Sequence, residues 1–263
     1  YKFYSFDYYD AVFCSGPGQA ESLRRLEELR GTSRKDLPLL GCPYLDVYAA
    51  RAEQVGVPEP RTILVAPTWG RNGLLTRTGS LVPKLLASAG YHVILRPHPQ
   101  SFISDREVME RVAADLQTCK NVEWDRNPDG FSSLSRASLM VSDVSGVIFD
   151  FAFVFLRPVI SVGNGPLKEG FEAWEIPHEA WEMKALDQIG RRVPAGNESG
   201  IPAVVEEMLG DLTTQTEVIR RVRDENVVNF GHAGGPIADA LVAAAQAHSV
   251  QLQSSLPSSI EAA

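Results

Sequence analysis

Residues 139–153 read LMVSDVSGVIFDFAF, and this stretch decides how the chain folds. The run LMVS (139–142) predicts a buried strand, because three of its four residues are apolar. The polar turn SDVSG (142–146) interrupts the apolar run, which then resumes and contains a second aspartate, Asp150. A buried strand, a short polar turn and an apolar helix in succession are typical of a strand–helix unit in a parallel sheet.

The same alternation continues on both sides of this stretch. Strands are predicted at 9–15, 62–67, 91–97, 121–124, 139–142, 157–162 and 190–194, with helices between them and closing helices up to residue 247. Residues 163–189 show no clear pattern. Nearly all-apolar strands favour a parallel sheet covered by helices on both faces, so the sequence predicts an α/β doubly wound parallel sheet.

Composition and chain-breaking prolines divide the sequence into three predicted segments. Pro58-Glu59-Pro60 interrupts the chain, so residues 1–58 are expected to end an N-terminal domain and 59–248 to form the sheet domain. Residues 249–263 are polar and are predicted to form a disordered tail. The chain opens on Tyr1 instead of methionine, which suggests a fragment of a longer protein.

Composition excludes several classes of protein. A net charge of −8 over 263 residues gives no basic field for nucleic acid, so no nucleic-acid partner is expected. Three widely spaced cysteines fit neither a disulfide framework nor a zinc cluster and indicate a reducing, cytoplasmic setting. No apolar run has the length of a membrane-spanning helix.

The turn after the 139–142 strand is the first candidate site. In a doubly wound sheet, ligands bind at the carboxyl ends of the strands. Ser142 or Asp143 is expected to cap the next helix, while Ser145 and Gly146 offer a hydroxyl and close access to free N–H groups that bind phosphate. The alternative is a plain helix cap without a ligand. Asp150 needs a partner if it is buried, and Arg157 is a candidate for that partner.

Two further loops should reach the same edge. In RPHP (96–99), two prolines hold His98 rigidly, so that it can contact a diphosphate or protonate a leaving group; the alternative is a surface or loop-capping histidine. In PTWGRNG (67–73), Thr68 and Arg71 are donors suited to an anion, and Trp69 can pack beside a ligand. A glycine-rich turn with a structural tryptophan explains the second loop equally well.

Six segments in order resemble the CDP-glycerol glycerophosphotransferase family, the teichoic-acid polymerases and primases. They are YDAVFCSGPGQAESL (9–23), LLGCPYLD (39–46), ILVAPTWGRNG (63–73), VILRPHPQ (93–100), LMVSDVSGVIFDFAF (139–153) and RPVI (157–160). His98 matches the family's second essential histidine. The family's Ser-Asp-Tyr-Ser-Ser motif matches 142–146, with Val144 in place of tyrosine and Gly146 in place of the last serine. The family's Trp-His-Gly motif does not occur in the chain.

The resemblance implies a two-domain glycosyltransferase-B-like fold, with residues 1–58 ending the acceptor domain and residues 59–248 forming the Rossmann-like domain that binds the donor. It implies in-line attack on the β-phosphorus of a CDP-polyol, with transfer of glycerophosphate or a related group and release of CMP. The implied catalytic residues are His98 and Asp143, and the implied substrate-binding residues are Thr68, Trp69, Arg71, Arg96, Ser142, Ser145, Gly146 and Asp150.

The same resemblance implies a cell-surface polymer or lipid-linked acceptor and a cytoplasmic protein, with peripheral contact to the inner face of the membrane left open. Oligomerisation also stays open. No acidic cluster indicates a tightly held metal, although Mg²⁺ bound together with substrate is compatible with the sequence. The alternatives are a UDP-sugar glycosyltransferase or epimerase of the same fold, and a nucleotide-binding module without catalysis.

Overall fold

The computed structural model describes residues 4–163, 165, 175–177 and 179–255, with side chains up to residue 247. Within this part, six strands form one parallel sheet in the order β3-β2-β1-β4-β5-β6. The strands are β1 (Thr62–Val65), β2 (His92–Leu95), β3 (Val122–Trp124), β4 (Leu139–Ser142), β5 (Val159–Val162) and β6 (Gly190–Val193). The predicted α/β doubly wound fold is confirmed.

Helices cover both faces of this sheet. They are α1 (Pro17–Arg30), α2 (Pro43–Ala52), α3 (Leu74–Thr78), α4 (Leu81–Ser88), α5 (Ser101–Ser104), α6 (Arg106–Leu116), α7 (Phe131–Arg136), α8 (Val147–Phe155), α9 (Trp181–Ile189), α10 (Ile201–Leu209), α11 (Leu212–Asn226) and α12 (Gly234–Ser255). A 3-10 turn, Glu198–Gly200, precedes α10. Among the described residues, no helix is long and apolar enough to cross a membrane.

The strands are apolar on both sides because each side packs on a separate core. Ile63 of β1 belongs to the core that includes residues of α4, α6 and α10. Leu64 belongs to the opposite core, which includes residues of α2, α8 and α11. All four residues of β1, β4 and β5 are buried. Each large side chain buried in this way contributes about 1.5–3 kcal/mol to stability.

The strand order reverses between β1 and β4, and this reversal places the ligand site. The strand β1 pairs with β2 on one side and with β4 on the other, so the chain leaves these strands in opposite directions across the sheet. Helices after β1 and β4 therefore cover opposite faces, and a crevice opens between the two loops at the carboxyl edge.

Residues 9–15 do not form the predicted strand. They make two isolated parallel bridges, Ala11 with Asp36 and Cys14 with Leu39. The partner segment contains Pro38, which has no N–H to donate, so no continuous ladder forms between the two bridges. The segment is held instead by a small core of its own, by helix α1 and by a bond from the Val228 N–H to the Ser15 carbonyl (2.9 Å).

Two further regions differ from the sequence interpretation. The patternless stretch 163–189 ends in a regular helix, α9, whose apolar positions Met183, Leu186 and Ile189 lie at helical spacing and are buried. Helix α12 continues to Ser255, so the first residues of the predicted tail 249–263 are helical, and residues 256–263 lie outside the described part. The boundary near residue 58 stays a prediction.

Candidate ligand site at the carboxyl edge of the sheet

Asp143 ties the loop after β1 to the loop after β4. Its Oδ1 accepts from the Thr68 N–H at 2.8 Å and its Oδ2 accepts from the Leu74 N–H at 2.7 Å. The side chain is 3% exposed. Burial raises the pKa of the Asp143 carboxyl, while the two backbone donors act in the opposite direction. Asp143 thus fixes both ends of the 68–74 loop across the crevice.

The prediction that Ser142 or Asp143 caps the following helix is wrong. Helix α8 begins after Gly146 without a side-chain cap. The Asp143 carboxylate lies toward β1 instead, and Ser142 Oγ donates to the Ala66 carbonyl at 2.6 Å. Ser142 is fully buried, so its hydroxyl holds β1 and β4 together and is not open to a ligand.

The start of α8 lies open at the crevice. Gly146 and Val144 are exposed and Ser145 is half-buried. The N–H groups of Ile148 and Phe149 donate to the carbonyls of Ser145 (3.2 Å) and Gly146 (3.0 Å). Within the described part of the chain, the Gly146 and Val147 N–H groups have no such partner, and the helix dipole places partial positive charge there. A Cβ added to Gly146 would meet no atom within 4 Å, so an incoming ligand has room at this point. These properties are those of an anion-binding helix start.

His98 lies beside Trp69 at the same edge. Their ring centroids are 6.2 Å apart, with planes inclined by 34°. The Gln100 N–H donates to His98 Nδ1 at 3.1 Å, so the neutral ring carries its proton on Nε2. Both side chains are exposed, Trp69 to 47%. The geometry leaves the Nε2–H of His98 as a fixed donor and the Trp69 ring as an apolar wall.

A second carboxylate, Asp105, orders the Trp69 loop. Asp105 Oδ2 accepts from the Gly70 N–H at 2.8 Å, and Gly70 has a positive φ of 86° that favours glycine. The sequence reasoning missed Asp105. Its position between α5 and α6 could have indicated an acceptor for backbone N–H groups, but its target lies on another loop.

Arg96 holds the loop after β3. Its Nη1 donates to Asp125 Oδ2 at 2.6 Å and to the Asn127 carbonyl at 2.8 Å, and its Nη2 donates to the Pro128 carbonyl at 3.3 Å. Asp125 is buried and also accepts from the Ser133 hydroxyl. Arg96 is therefore committed mainly to this loop, and a substrate-binding role for it stays a prediction.

Asp150 lies one turn into α8. No hydrogen bond or ion pair of Asp150 is found within the described part of the chain. The expected partner, Arg157, donates instead to the carbonyls of Ser135 (2.6 Å) and Ala137 (2.7 Å). Burial raises the pKa of Asp150 to about 6. The pKa of the Tyr44 hydroxyl is also raised, first by burial, then by its hydrogen bond with Tyr48 and by the charge of Asp150. An unpaired, desolvated carboxyl is costly in a fold and is common at functional sites.

A cleft of about 570 Å³ lies between the loops after β1 and β4 and the ends of β5 and β6. Four predicted site residues line it: Thr68, Trp69, Arg71 and Asp143. The remaining six do not: Arg96, His98, Ser142, Ser145, Gly146 and Asp150. His98 adjoins the cleft through Trp69, whereas Arg96 and Asp150 lie apart from it.

The cleft also contains residues that the sequence reasoning missed: Arg77, Ser161 and Arg192. Ser161 interrupts an otherwise apolar strand near its carboxyl end, which is a signal that could have been used. Arg192 lies in the short predicted strand 190–194 and gave no such signal, because its neighbour Arg191 is equally charged.

Comparison with solved structures places this architecture among known proteins. The wall teichoic acid polymerase TagF matches with a TM-score of 0.57 and 18% sequence identity, over 91% of this chain and 59% of that chain. A variant of TagF soaked with CDPG matches with a TM-score of 0.56 and 18% identity, over 94% and 59% of the two chains. The chain therefore spans about 60% of the length of these proteins.

A UDP-GlcNAc 2-epimerase from Methanocaldococcus jannaschii, in complex with UDP-GlcNAc and UDP, is also similar. Its TM-score is 0.54 at 16% identity, over 89% of this chain and 61% of that chain. Comparison of the sequence with known protein families and with curated proteins gives no match. Similarity at this level of identity establishes the fold, which is a Rossmann-like α/β fold of the glycosyltransferase-B type.

Proposed function

We propose that this chain is the donor-binding part of a transferase that moves glycerophosphate, or a related polyol-phosphate, from a CDP-activated donor to an acceptor and releases CMP. The observation that carries the proposal is the pairing of two anion-binding features around one ordered loop. These are the Nε2–H of His98 and the open start of α8 at Gly146. His98 follows β2 and Gly146 follows β4, and these two strands lie on either side of β1, where the strand order reverses.

The chemistry of a diphosphate suits these groups. His98 Nε2–H is held in one orientation by the bond from the Gln100 N–H, so it meets a phosphate oxygen without reorganising. The start of α8 supplies N–H donors and a favourable dipole. Asp143 acts as a positioning residue, because both of its oxygens are occupied by backbone donors of the loop that carries Thr68 and Trp69.

The proposed reaction is a substitution at phosphorus. An acceptor hydroxyl oxygen forms a bond to the β-phosphorus, and the bond from that phosphorus to the bridging oxygen breaks. CMP leaves with the electron pair, and the donors at His98 and Gly146 stabilise the negative charge that develops on the diphosphate oxygens. Deprotonation of the acceptor hydroxyl is assigned to no residue in the described part of the chain. Mg²⁺ would enter with the diphosphate.

Asp150 is proposed to accept hydrogen bonds from ligand hydroxyl groups. It lies one turn beyond the helix start and has no partner within the described residues. Hydroxyls of the nucleoside or of the polyol would satisfy it, and they would stabilise its ionised form. The fold thus holds a carboxylate that gains its partner only on binding.

The acceptor and the location of the protein complete the proposal. By resemblance, the acceptor is a cell-surface polymer or a lipid-linked precursor, and the protein works in the cytoplasm at the inner face of the membrane.

A second candidate function is that of a UDP-sugar glycosyltransferase or epimerase. Gly146, which replaces a serine of the polymerase motif, and the similarity to a UDP-GlcNAc 2-epimerase both favour this second candidate. A nucleotide-binding module without catalysis is a third.

Calorimetric titration separates these functions. We expect CDP-glycerol to bind this chain more tightly than UDP-N-acetylglucosamine, and His98→Ala to weaken CDP-glycerol at least about tenfold, because a charge-assisted hydrogen bond is worth about 1.5–3 kcal/mol. His92→Ala is the matched control. His92 begins β2, the strand that leads into the His98 loop, and its Nε2 lies 3.1 Å from Glu123 at the opposite edge of the sheet. Its loss should leave the affinity for CDP-glycerol unchanged.

Three results would count against the proposal. Tighter binding of the UDP-sugar would favour the glycosyltransferase or epimerase. Equal affinity of the His98→Ala and His92→Ala variants for CDP-glycerol would remove His98 from the site. Binding of CDP-glycerol without transfer in the full-length protein, supplied with a lipid-linked acceptor, would favour the non-catalytic module.

A further inference from the structure

The wall of the cleft opposite His98 is not used by the proposed donor site. It is formed by the ends of β5 and β6 and by one arginine of α3. Its polar side chains are Ser161, Arg77 and Arg192, and Arg71 extends from the facing loop. These residues share the cleft with Thr68 and Trp69, so a ligand bound here would lie next to the proposed donor.

Ser161 is the first indication of a ligand. The residue is 4% exposed, and its hydroxyl has no hydrogen-bond partner in the described part of the chain. No other side-chain polar atom of the described residues is both buried and unpartnered. A buried unpaired hydroxyl costs about 1–3 kcal/mol. Because Ser161 lies in the wall of a cleft, a ligand acceptor is the partner that removes this cost.

Two backbone carbonyls hold the Arg77 side chain at the cleft. Its Nε donates to the Asn72 carbonyl at 3.0 Å and its Nη2 donates to the Val162 carbonyl at 2.8 Å. The guanidinium is therefore fixed between the β1 loop and the end of β5. These two bonds use only part of its donors, and a guanidinium has five. The rest can meet an anion without loss of side-chain freedom.

The charge in the cleft favours an anion. Arg71, Arg77 and Arg192 are cationic, although the whole chain carries −8. Arg192 pairs through Nη2 with Asp187 at 2.8 Å, which orients it. The lining carboxylate, Asp143, already accepts from two backbone N–H groups, and its single negative charge only partly offsets the three arginines. Arginine is the residue best suited to phosphate oxygens.

We propose that Ser161, Arg77 and Arg192 form a subsite for a phosphate monoester or diester, separate from the diphosphate site beside His98. This identification rests on the proposed function: the subsite holds the phosphate nearest the acceptor end of the growing chain. The cleft volume of about 570 Å³ is in the range of small-ligand sites and accommodates glycerol phosphate. Phosphate held here would place a neighbouring acceptor hydroxyl in the shared cleft, beside Trp69.

Titration of sn-glycerol 3-phosphate tests whether the subsite is separate. The ligand is added to the chain alone and to the chain saturated with CDP-glycerol, at low ionic strength. We expect the two dissociation constants to agree within about threefold, since the two phosphates occupy different walls. Competition between the two ligands would overturn the proposal, and so would a failure of glycerol 3-phosphate to bind at millimolar concentration.

Variants locate the subsite. Ser161→Ala should weaken glycerol 3-phosphate about three- to tenfold without lowering the thermal unfolding temperature, because it removes an unpaired buried hydroxyl. Arg192→Gln should weaken binding at least about tenfold. Arg191→Gln is the matched control: it lies on the same strand, is exposed, and pairs with Glu207 at 2.7 Å away from the cleft. Wild-type affinity in both Ser161→Ala and Arg192→Gln would overturn the subsite.

The two proposals can fail separately. If CDP-glycerol does not bind but glycerol 3-phosphate binding is lost in Arg192→Gln and kept in Arg191→Gln, the phosphate subsite stands and the donor assignment falls. If CDP-glycerol binds and displaces glycerol 3-phosphate, the donor assignment stands and the subsite falls.

Discussion

Asp143 and Asp150 lie seven residues apart, and their substitution by asparagine should change stability in opposite directions. Burial raises the pKa of both carboxyl groups. Asp143 has two backbone N–H donors, whereas no partner of Asp150 is found within the described residues. Removing the charge from Asp150 should therefore stabilise the fold, and removing an acceptor from Asp143 should destabilise it.

The magnitude for Asp150 follows from its pKa. A rise from 3.8 to about 6 corresponds to at most about 3 kcal/mol of lost stability at any pH above both values. A carboxyl whose folded pKa is raised binds its proton more tightly in the folded state. Stability is thus lost as pH rises from about 4 to about 6. Asp150→Asn should stabilise by up to about 3 kcal/mol at pH 8 and by nearly nothing at pH 4.

Asp143→Asn should behave differently. An amide can accept only one of the two N–H bonds from Thr68 and Leu74, and its NH₂ group would face the other donor. We expect a loss of about 1–3 kcal/mol at pH 8. The assay is urea unfolding followed by tryptophan fluorescence, with each variant compared with the wild type at pH 4, 6 and 8. Destabilisation by Asp150→Asn at pH 8, or an equal gain in stability at pH 4 and pH 8, would show that Asp150 is not a buried, unpaired carboxylate.

Four further substitutions test the fold and the site. Ser142→Ala should cost about 1–2 kcal/mol of stability, because it removes the hydrogen bond to the Ala66 carbonyl. Ser145→Ala should leave urea unfolding unchanged and weaken the binding of CDP-glycerol in calorimetry. The reverse pattern would contradict the roles assigned to the two serines. Arg96→Gln should lower the free energy of unfolding by about 3 kcal/mol in urea, because it leaves the buried Asp125 carboxylate without its cation. A loss below about 1 kcal/mol would show that the ion pair is not needed for stability. Gly190→Ala should lower the thermal unfolding temperature by several degrees, because the new Cβ would lie 2.1 Å from the Val159 carbonyl oxygen where β5 pairs with β6. An unchanged unfolding temperature would show that the two strands do not approach so closely.

Much of the sheet could be predicted because its strands are short, continuous apolar runs. The strands β1, β4 and β5 are buried on both faces, so their sequences carry the signal without help from distant residues. The segment 9–15 carries a similar pattern but pairs only at two points. Its pairing depends on a partner that contains Pro38, and local periodicity does not report the partner.

The edge that holds the site could also be predicted, but the bonds within it could not. Thr68 and Asp143 follow neighbouring parallel strands and are hydrogen-bonded, as expected for loops at the carboxyl edge of a doubly wound sheet. The direction of the Asp143 side chain depends on the Leu74 N–H, which lies 69 residues earlier. In the same way, Arg157 satisfies carbonyls at the end of α7 and not Asp150. Such pairings depend on tertiary packing and leave no mark in local sequence.

A crystal structure of this chain with CDP-glycerol would show whether the donor lies between His98 and the start of α8. We expect difference density for the diphosphate within about 3 Å of His98 Nε2 and of the Gly146 and Val147 N–H groups, with a ligand hydroxyl on Asp150. Density for the diphosphate on Ser161 and Arg192, with His98 and the start of α8 free of ligand, would contradict both the donor site and the separate phosphate subsite.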